Sequence, residues 1–218
     1  MSFKKSLLLA AIAASAFSAQ AQNIVVNGSF EDIASVGSDS QAPGSFGTYT
    51  SIVGWTGTPN IEVRDSYYGV AQNLTNFVEL DTNKRSAGLT NSGMYQDITA
   101  TGLYELSFWY SARPNTWLST NGLGFTFGGL SGQVLQPAVG GSDVKSGSSH
   151  VWRQYTGLVN LAGTTTLNFY ANGTADTLGG SIDNVSVTAV PEPESLAMML
   201  AGLGLMGTIA RRRKQKAA

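Results

Sequence analysis

Between Gln22 and Val190 apolar and polar residues alternate in short runs with a period of two. In the run 103–112, Tyr104, Leu106, Phe108 and Tyr110 fall on one face and Glu105, Ser107 and Trp109 on the other. In the run 165–171, Leu167, Phe169 and Ala171 separate from Asn168 and Tyr170 in the same way. Further runs rich in Val, Ile, Phe, Tyr, Trp and Thr lie at 24–26, 61–63, 76–80, 93–98, 124–127, 151–159 and 181–187, and nothing comparable there repeats at helical spacing. Clusters of Gly, Ser, Asn and Thr at 37–47, 140–149 and 172–180 punctuate the runs as turns and loops. About nine short strands, each with one apolar face, predict an all-β domain of two antiparallel sheets packed as a sandwich.

The two ends follow different patterns. Lys4 and Lys5 precede an apolar stretch from Leu7 to Phe17, and Ala19-Gln20-Ala21 places small residues at −3 and −1 of a cleavage site. Residues 1–21 therefore read as a signal peptide, removed by signal peptidase before Gln22. At the other end, Val190-Pro191-Glu192-Pro193-Glu194 leads into an uncharged stretch, 195–210, rich in Leu, Met, Ala and Gly, and then into Arg211-Arg212-Arg213-Lys214-Gln215-Lys216. At about 1.5 Å per residue that stretch only approaches a bilayer's hydrocarbon thickness. It reads as a marginal single-pass membrane span whose basic flank stays cytoplasmic. The chain thus divides into 1–21, a β-sandwich domain over 22–189, and a sorting segment over 190–218.

The order of Pro-Glu motif, apolar helix and basic cluster resembles the PEP-CTERM signal of Gram-negative bacteria, here written Val-Pro-Glu-Pro-Glu-Ser-Leu-Ala with Pro191, Glu192 and Pro193 as its centre. The resemblance implies export across the inner membrane, processing near the motif by an exosortase, and delivery to the cell surface or the extracellular matrix. It also implies an association with exopolysaccharide.

Charge changes the picture once the ends are set aside. The whole chain carries a formal charge of −1, yet 22–190 holds six Lys or Arg against twelve Asp or Glu, near −6. An acidic domain without a basic stripe excludes nucleic acid as a partner, because phosphate neutralisation needs clustered cations. Cysteine is absent, so the apolar core holds the fold without disulfides.

A second resemblance rests on Asn27-Gly28-Ser29-Phe30-Glu31, Gly54-Trp55, Asn76 to Asp81, Tyr95-Gln96, Tyr104 to Phe108 and Ile182-Asp183-Asn184-Val185-Ser186-Val187. In that order they resemble the galactose-binding-like jelly rolls, which include many carbohydrate-binding modules. The resemblance implies that the first and last strands lie side by side and that Glu31 and Asp183 meet at a structural Ca2+. The same two carboxylates could instead accept hydrogen bonds from turn amides or the first strand's backbone, and Asp32 is either a further ligand or solvated.

Catalysis finds little support. The single histidine, His150, sits in a Ser- and Gly-rich segment and reads as an exposed loop residue without a Gly-x-Ser-x-Gly elbow. Glu62, Asp65, Glu79 and Asp81 are carboxylate candidates for a glycosidase, but a solvated strand face explains Glu79 and Asp81 as well. The reading is a non-enzymatic domain. Tyr67, Tyr68 and Trp117, and less readily Trp55, are candidate rings for stacking on sugar faces, whereas Trp109 and Trp152 read as structural. The expected function is polysaccharide or calcium binding at the cell surface, the alternatives being a structural or adhesive protein and a carbohydrate-active hydrolase.

Overall fold

A computed structural model describes residues 22–33, 38–39, 46–65, 69–82, 91–114, 116–134, 150–191 and 193–215. Residues 23–188 form one compact unit and the C-terminal segment from Ala189 belongs to another. The strands are β1 (Ser38–Asp39), β2 (Phe46–Ile52), β3 (Trp55–Asp65), β4 (Asn76–Glu79), β5 (Gly93–Ser111), β6 (Leu123–Phe127), β7 (Leu130–Val134), β8 (Arg153–Ala171) and β9 (Ser181–Ala189).

The expected all-β jelly-roll architecture is what forms. The strands run in the order β1-β2-β3-β4-β9-β5-β8-β6-β7, and β3 also pairs with β5 through Thr56–Thr58, so the antiparallel sheet folds over on itself. The alternation in β5 sets its inner face: Met94, Ile98, Leu106, Phe108 and Tyr110 are buried. Phe108 packs edge-on against Phe125 of β6 and Phe169 of β8, with centroids 5.3 and 5.0 Å apart.

The element boundaries differ from the expectation in three places. The runs at 93–98 and 103–112 are one strand, as are 151–159 and 165–171, and β5 and β8 pair from Gly93↔Tyr170 to Tyr110↔Arg153. Gly102 and Gly163, each at positive φ, are bends inside this ribbon rather than turns ending it. The strand β2 was hidden in a Gly- and Thr-rich stretch that lacks a strong apolar signal. Finally, 24–26 makes no regular strand; Asn23 forms an isolated bridge to Thr188, and the Ile24 N–H donates to the Val187 carbonyl.

The second unit carries a helix, α1 (Pro193–Gln215), begun by a proline suited to the first helical turn. The expected membrane span is corrected here: among the described residues no helix is long and apolar enough to cross a membrane. The uncharged stretch rises about 24 Å against a hydrocarbon core of about 30 Å. Gly202, Gly204 and Gly207 dilute it, and the rest of the helix is completed by Arg211, Arg212 and Arg213.

Candidate functional site

Asn27 begins the first site by adopting φ 52°, and its side chain ties the turn together. Its Nδ2 donates to the Asp32 and Val53 carbonyls, and its Oδ1 accepts from the Asp32 N–H. Gly28 follows because the chain presses on β9: a Cβ there would lie 2.0 Å from the Val185 carbonyl oxygen, while the Val185 N–H donates to the Gly28 carbonyl at 2.8 Å. Phe30 then turns inward, fully buried and 5.7 Å from the Trp55 ring. Gln96 completes the seam in place of a strand, accepting from the Val26 N–H and donating to the Val26 and Gly54 carbonyls. The expected adjacency of the domain's two ends is therefore built from these motif residues.

That seam delivers Glu31 and Asp183 to one loop. Glu31 Oε1 accepts from the Thr75 and Asn76 N–H groups at 2.9 and 2.7 Å. Asp183 Oδ2 accepts from Gln72 and Asn73 at 2.8 Å each, and its Oδ1 from Asn184 at 2.6 Å. Burial pushes the Asp183 carboxyl up to about 7 despite those three N–H groups, and the Glu31 charge adds to the rise. The two acids thus clasp the backbone of 72–76. The donor chemistry also admits a hard cation, which would relieve the repulsion between them, on the carboxylate edges that the N–H groups leave open.

A second polar group lies on the sheet face opposite Ile61, Val63, Val78 and Leu80. Register sets Glu62 directly across from Glu79, and Glu79 across from Ser181. Two facing carboxylates repel. Arg64 bridges them, with Nη2 2.6 Å from Glu62 and Nε 2.7 Å from Glu79, and Arg113 pairs with the other oxygen of Glu79. All but Arg113 are almost wholly buried, and burial raises the Glu79 carboxyl against the pull of both arginines. This corrects the solvated-face reading of Glu79 and Asp81, since both are buried.

His150 is not the exposed loop residue expected. Its ring stacks on Trp152 at 5.2 Å and meets the edge of Phe77 at 4.7 Å, and its Nε2 lies 3.0 Å from Ser181 Oγ. Burial, helped by the charges of Arg64 and Arg113, pushes the imidazole down to about 4. Ser181 is itself fully buried, so the contact fixes the ring and offers no nucleophile to a substrate. The signal for this face was present in the alternation of Glu62 and Arg64 with Ile61 and Val63, and of Phe77 and Glu79 with Val78 and Leu80.

Among the candidate rings, Trp117 is 61 % exposed, on a turn that leads into the 3-10 segment Leu118–Thr120. Its carbonyl accepts from the Thr120 N–H and from Asn121 Nδ2, which hold the turn. Trp55 is core, with Nε1 donating to the Asn27 carbonyl, which removes it as a sugar platform. Tyr67, Tyr68, Glu192 and the cleavage residues Ala19 and Ala21 lie outside the described residues.

The C-terminal segment is decided by comparison with known families: residues 189–214 match the PEP-CTERM protein-sorting motif. The chain carries a PEP-CTERM sorting motif. That motif implies an exported protein, sorted to the surface and processed by an exosortase, and Pro191 and Pro193 fall within the match. No curated protein matches the chain. Solved structures similar to the exported domain include the K1 cleaved adhesin domain of Lys-gingipain from Porphyromonas gingivalis W83, at 15 % identity and a TM-score of 0.49, covering 65 % of this chain and 94 % of that one. A family 61 carbohydrate-binding module in complex with β-1,4-galactotriose shares 16 % identity at a TM-score of 0.45, covering 78 % and 99 %. A family 35 carbohydrate-binding module from Paenibacillus barcinonensis shares 19 % at 0.38, covering 63 % and 94 %. No residue role passes from them to this chain.

Proposed function

We propose that this PEP-CTERM protein is a non-catalytic polysaccharide-binding component of the cell surface or extracellular matrix. The observation that carries the reading is Trp117: a large aromatic ring left mostly in water on a turn whose backbone is held by Thr120 and Asn121. An exposed ring carried on a held backbone and not needed for the core suits stacking on the apolar face of a sugar. The absence of catalysis is supported by the state of the candidate groups. Glu62 and Glu79 are bound by arginines, and Ser181 beside His150 is sealed from solvent.

The decisive experiment is binding of the full chain to an array of neutral and acidic oligosaccharides, repeated with Trp117→Ala. Wild-type binding that falls about tenfold or more in the variant, at an unchanged melting temperature, supports the reading. Wild type that binds no glycan, or a variant that binds equally well, overturns it in favour of a structural or adhesive role. Calcium at Glu31 and Asp183 is part of the same proposal, adding to the amide clasp rather than building it. A melting temperature raised by calcium over EDTA, and raised by less in Glu31→Gln, is the expected outcome.

A further inference from the structure

The loop cluster beside Trp117 holds an acidic group that neither the clasp nor the arginine network uses. Asp81, at the end of β4, is fully buried and has φ 87°. Its Oδ2 accepts from the Asp176 and Thr177 N–H groups at 2.9 Å each, which holds the 172–180 loop against the strand end. Its Oδ1 is buried and has no hydrogen-bond partner, and the same is true of Oγ1 of the adjacent Thr82, 1 % exposed. Both N–H groups of this pair donate to Ser92 Oγ, so the backbone donors are satisfied while two side-chain oxygens are not. The Asp176 carboxylate stands close enough for its charge to act on Asp81. Asp176 is itself oriented, with Oδ2 accepting from Thr120 Oγ1 at 2.6 Å and Oδ1 from the Leu178 N–H at 3.1 Å.

A buried carboxylate with a second, half-buried one beside it is costly when, among the described residues, no cation lies on either. Among the described residues no ion pair reaches Asp81: Arg113, which touches the same loop through the Thr177 carbonyl at 3.4 Å, pairs with Glu79. The donors gathered here are all oxygens, from carboxylate and hydroxyl, with neither histidine nor cysteine. That chemistry selects a hard divalent cation, and calcium, which accepts backbone carbonyls and hydroxyls beside carboxylates in a flexible shell, suits it better than magnesium, which demands a near-ideal octahedron. Among the described residues no three His, Cys, Asp or Glu gather, so the shell cannot be carboxylates alone.

We propose that Asp81, Thr82 and Asp176 form a calcium site separate from Glu31 and Asp183. A bound ion would join the end of β4 to the 172–180 loop and, through Thr120, to the turn that carries Trp117. The proposal does not depend on polysaccharide binding.

The test is calorimetric titration of CaCl2 into the full chain, using Thr82→Val and Asp176→Asn, each also in a Glu31→Gln background that cripples the other carboxylate pair. Thr82→Val keeps shape and removes only the unpartnered hydroxyl, so in EDTA it should fold as well as wild type or better. The expected result is a saturable heat that survives Glu31→Gln, with affinity falling about tenfold in Asp176→Asn and measurably in Thr82→Val. Calcium heats unchanged in both variants, heats abolished by Glu31→Gln alone, or none in the wild type would overturn the site.

Discussion

His150 is the residue whose surroundings have the clearest consequence for pH. In the unfolded chain its imidazole takes up a proton near pH 6.5, whereas in the folded chain it does so only near pH 4. Acidification between those values therefore favours the unfolded chain. The contribution is complete above pH 6.5 and is lost as pH falls toward 4, up to about 3 kcal/mol. Asp183, raised by burial to about 7, works the other way: its contribution is full below its unfolded value and is lost as pH rises through 7. The difference between proteins is thus the readout. His150→Gln should lose less melting temperature than wild type between pH 7.5 and 4.5, and equal losses would place the acid sensitivity elsewhere. Little of this was legible in the sequence, because the burial of His150 depends on Phe77 of β4, far from it in the chain, as well as on the neighbouring Trp152. Glu31 and Asp183 were legible as a pair, since each sits in a motif at the seam, but their partners in 72–76 were not.

At the level of elements, period-two alternation identified the strands well and their ends poorly. Gly102 and Gly163 carry the composition of turns, yet the pairing of β5 with β8 on both sides of them holds the ribbon continuous. Propensity sees the glycine and not the partner strand. The same limit hid the charged face of β3 and β4, where only register reveals that Glu62 meets Glu79. Arg64 is the group that makes this face tolerable. Arg64→Met should cost about 3–5 kcal/mol by leaving two carboxylates facing each other in a buried place, read from the midpoint of chemical denaturation. Adding Glu62→Gln and Glu79→Gln to that variant should recover much of the loss. A single variant as stable as wild type would show that the carboxylates find other partners.

For the whole molecule, the exported domain and the sorting segment answer to different tests. Residues 23–188 form their own compact unit, so Pro191→Ala with Pro193→Ala should leave the domain's melting temperature unchanged. Surface labelling of cells should nonetheless show the protein missorted, because both prolines lie in the motif. Normal sorting of that variant would mean that the apolar and basic parts suffice.

The closure of the first residues onto β9 also sets a timetable. Asn23 and Val187, joined by a hydrogen bond in the finished domain, are 164 positions apart in the chain. At roughly 5–20 residues per second of synthesis, the opening segment waits on the order of ten to thirty seconds for its partner. Throughout that interval the turn that carries Phe30 lacks the Val185 N–H that closes it onto β9, and contacts of such long range form late in any case. The seam is therefore left open for nearly as long as the chain is being made, and a segment not yet locked to its last strand is one that can still be handed to a narrow channel.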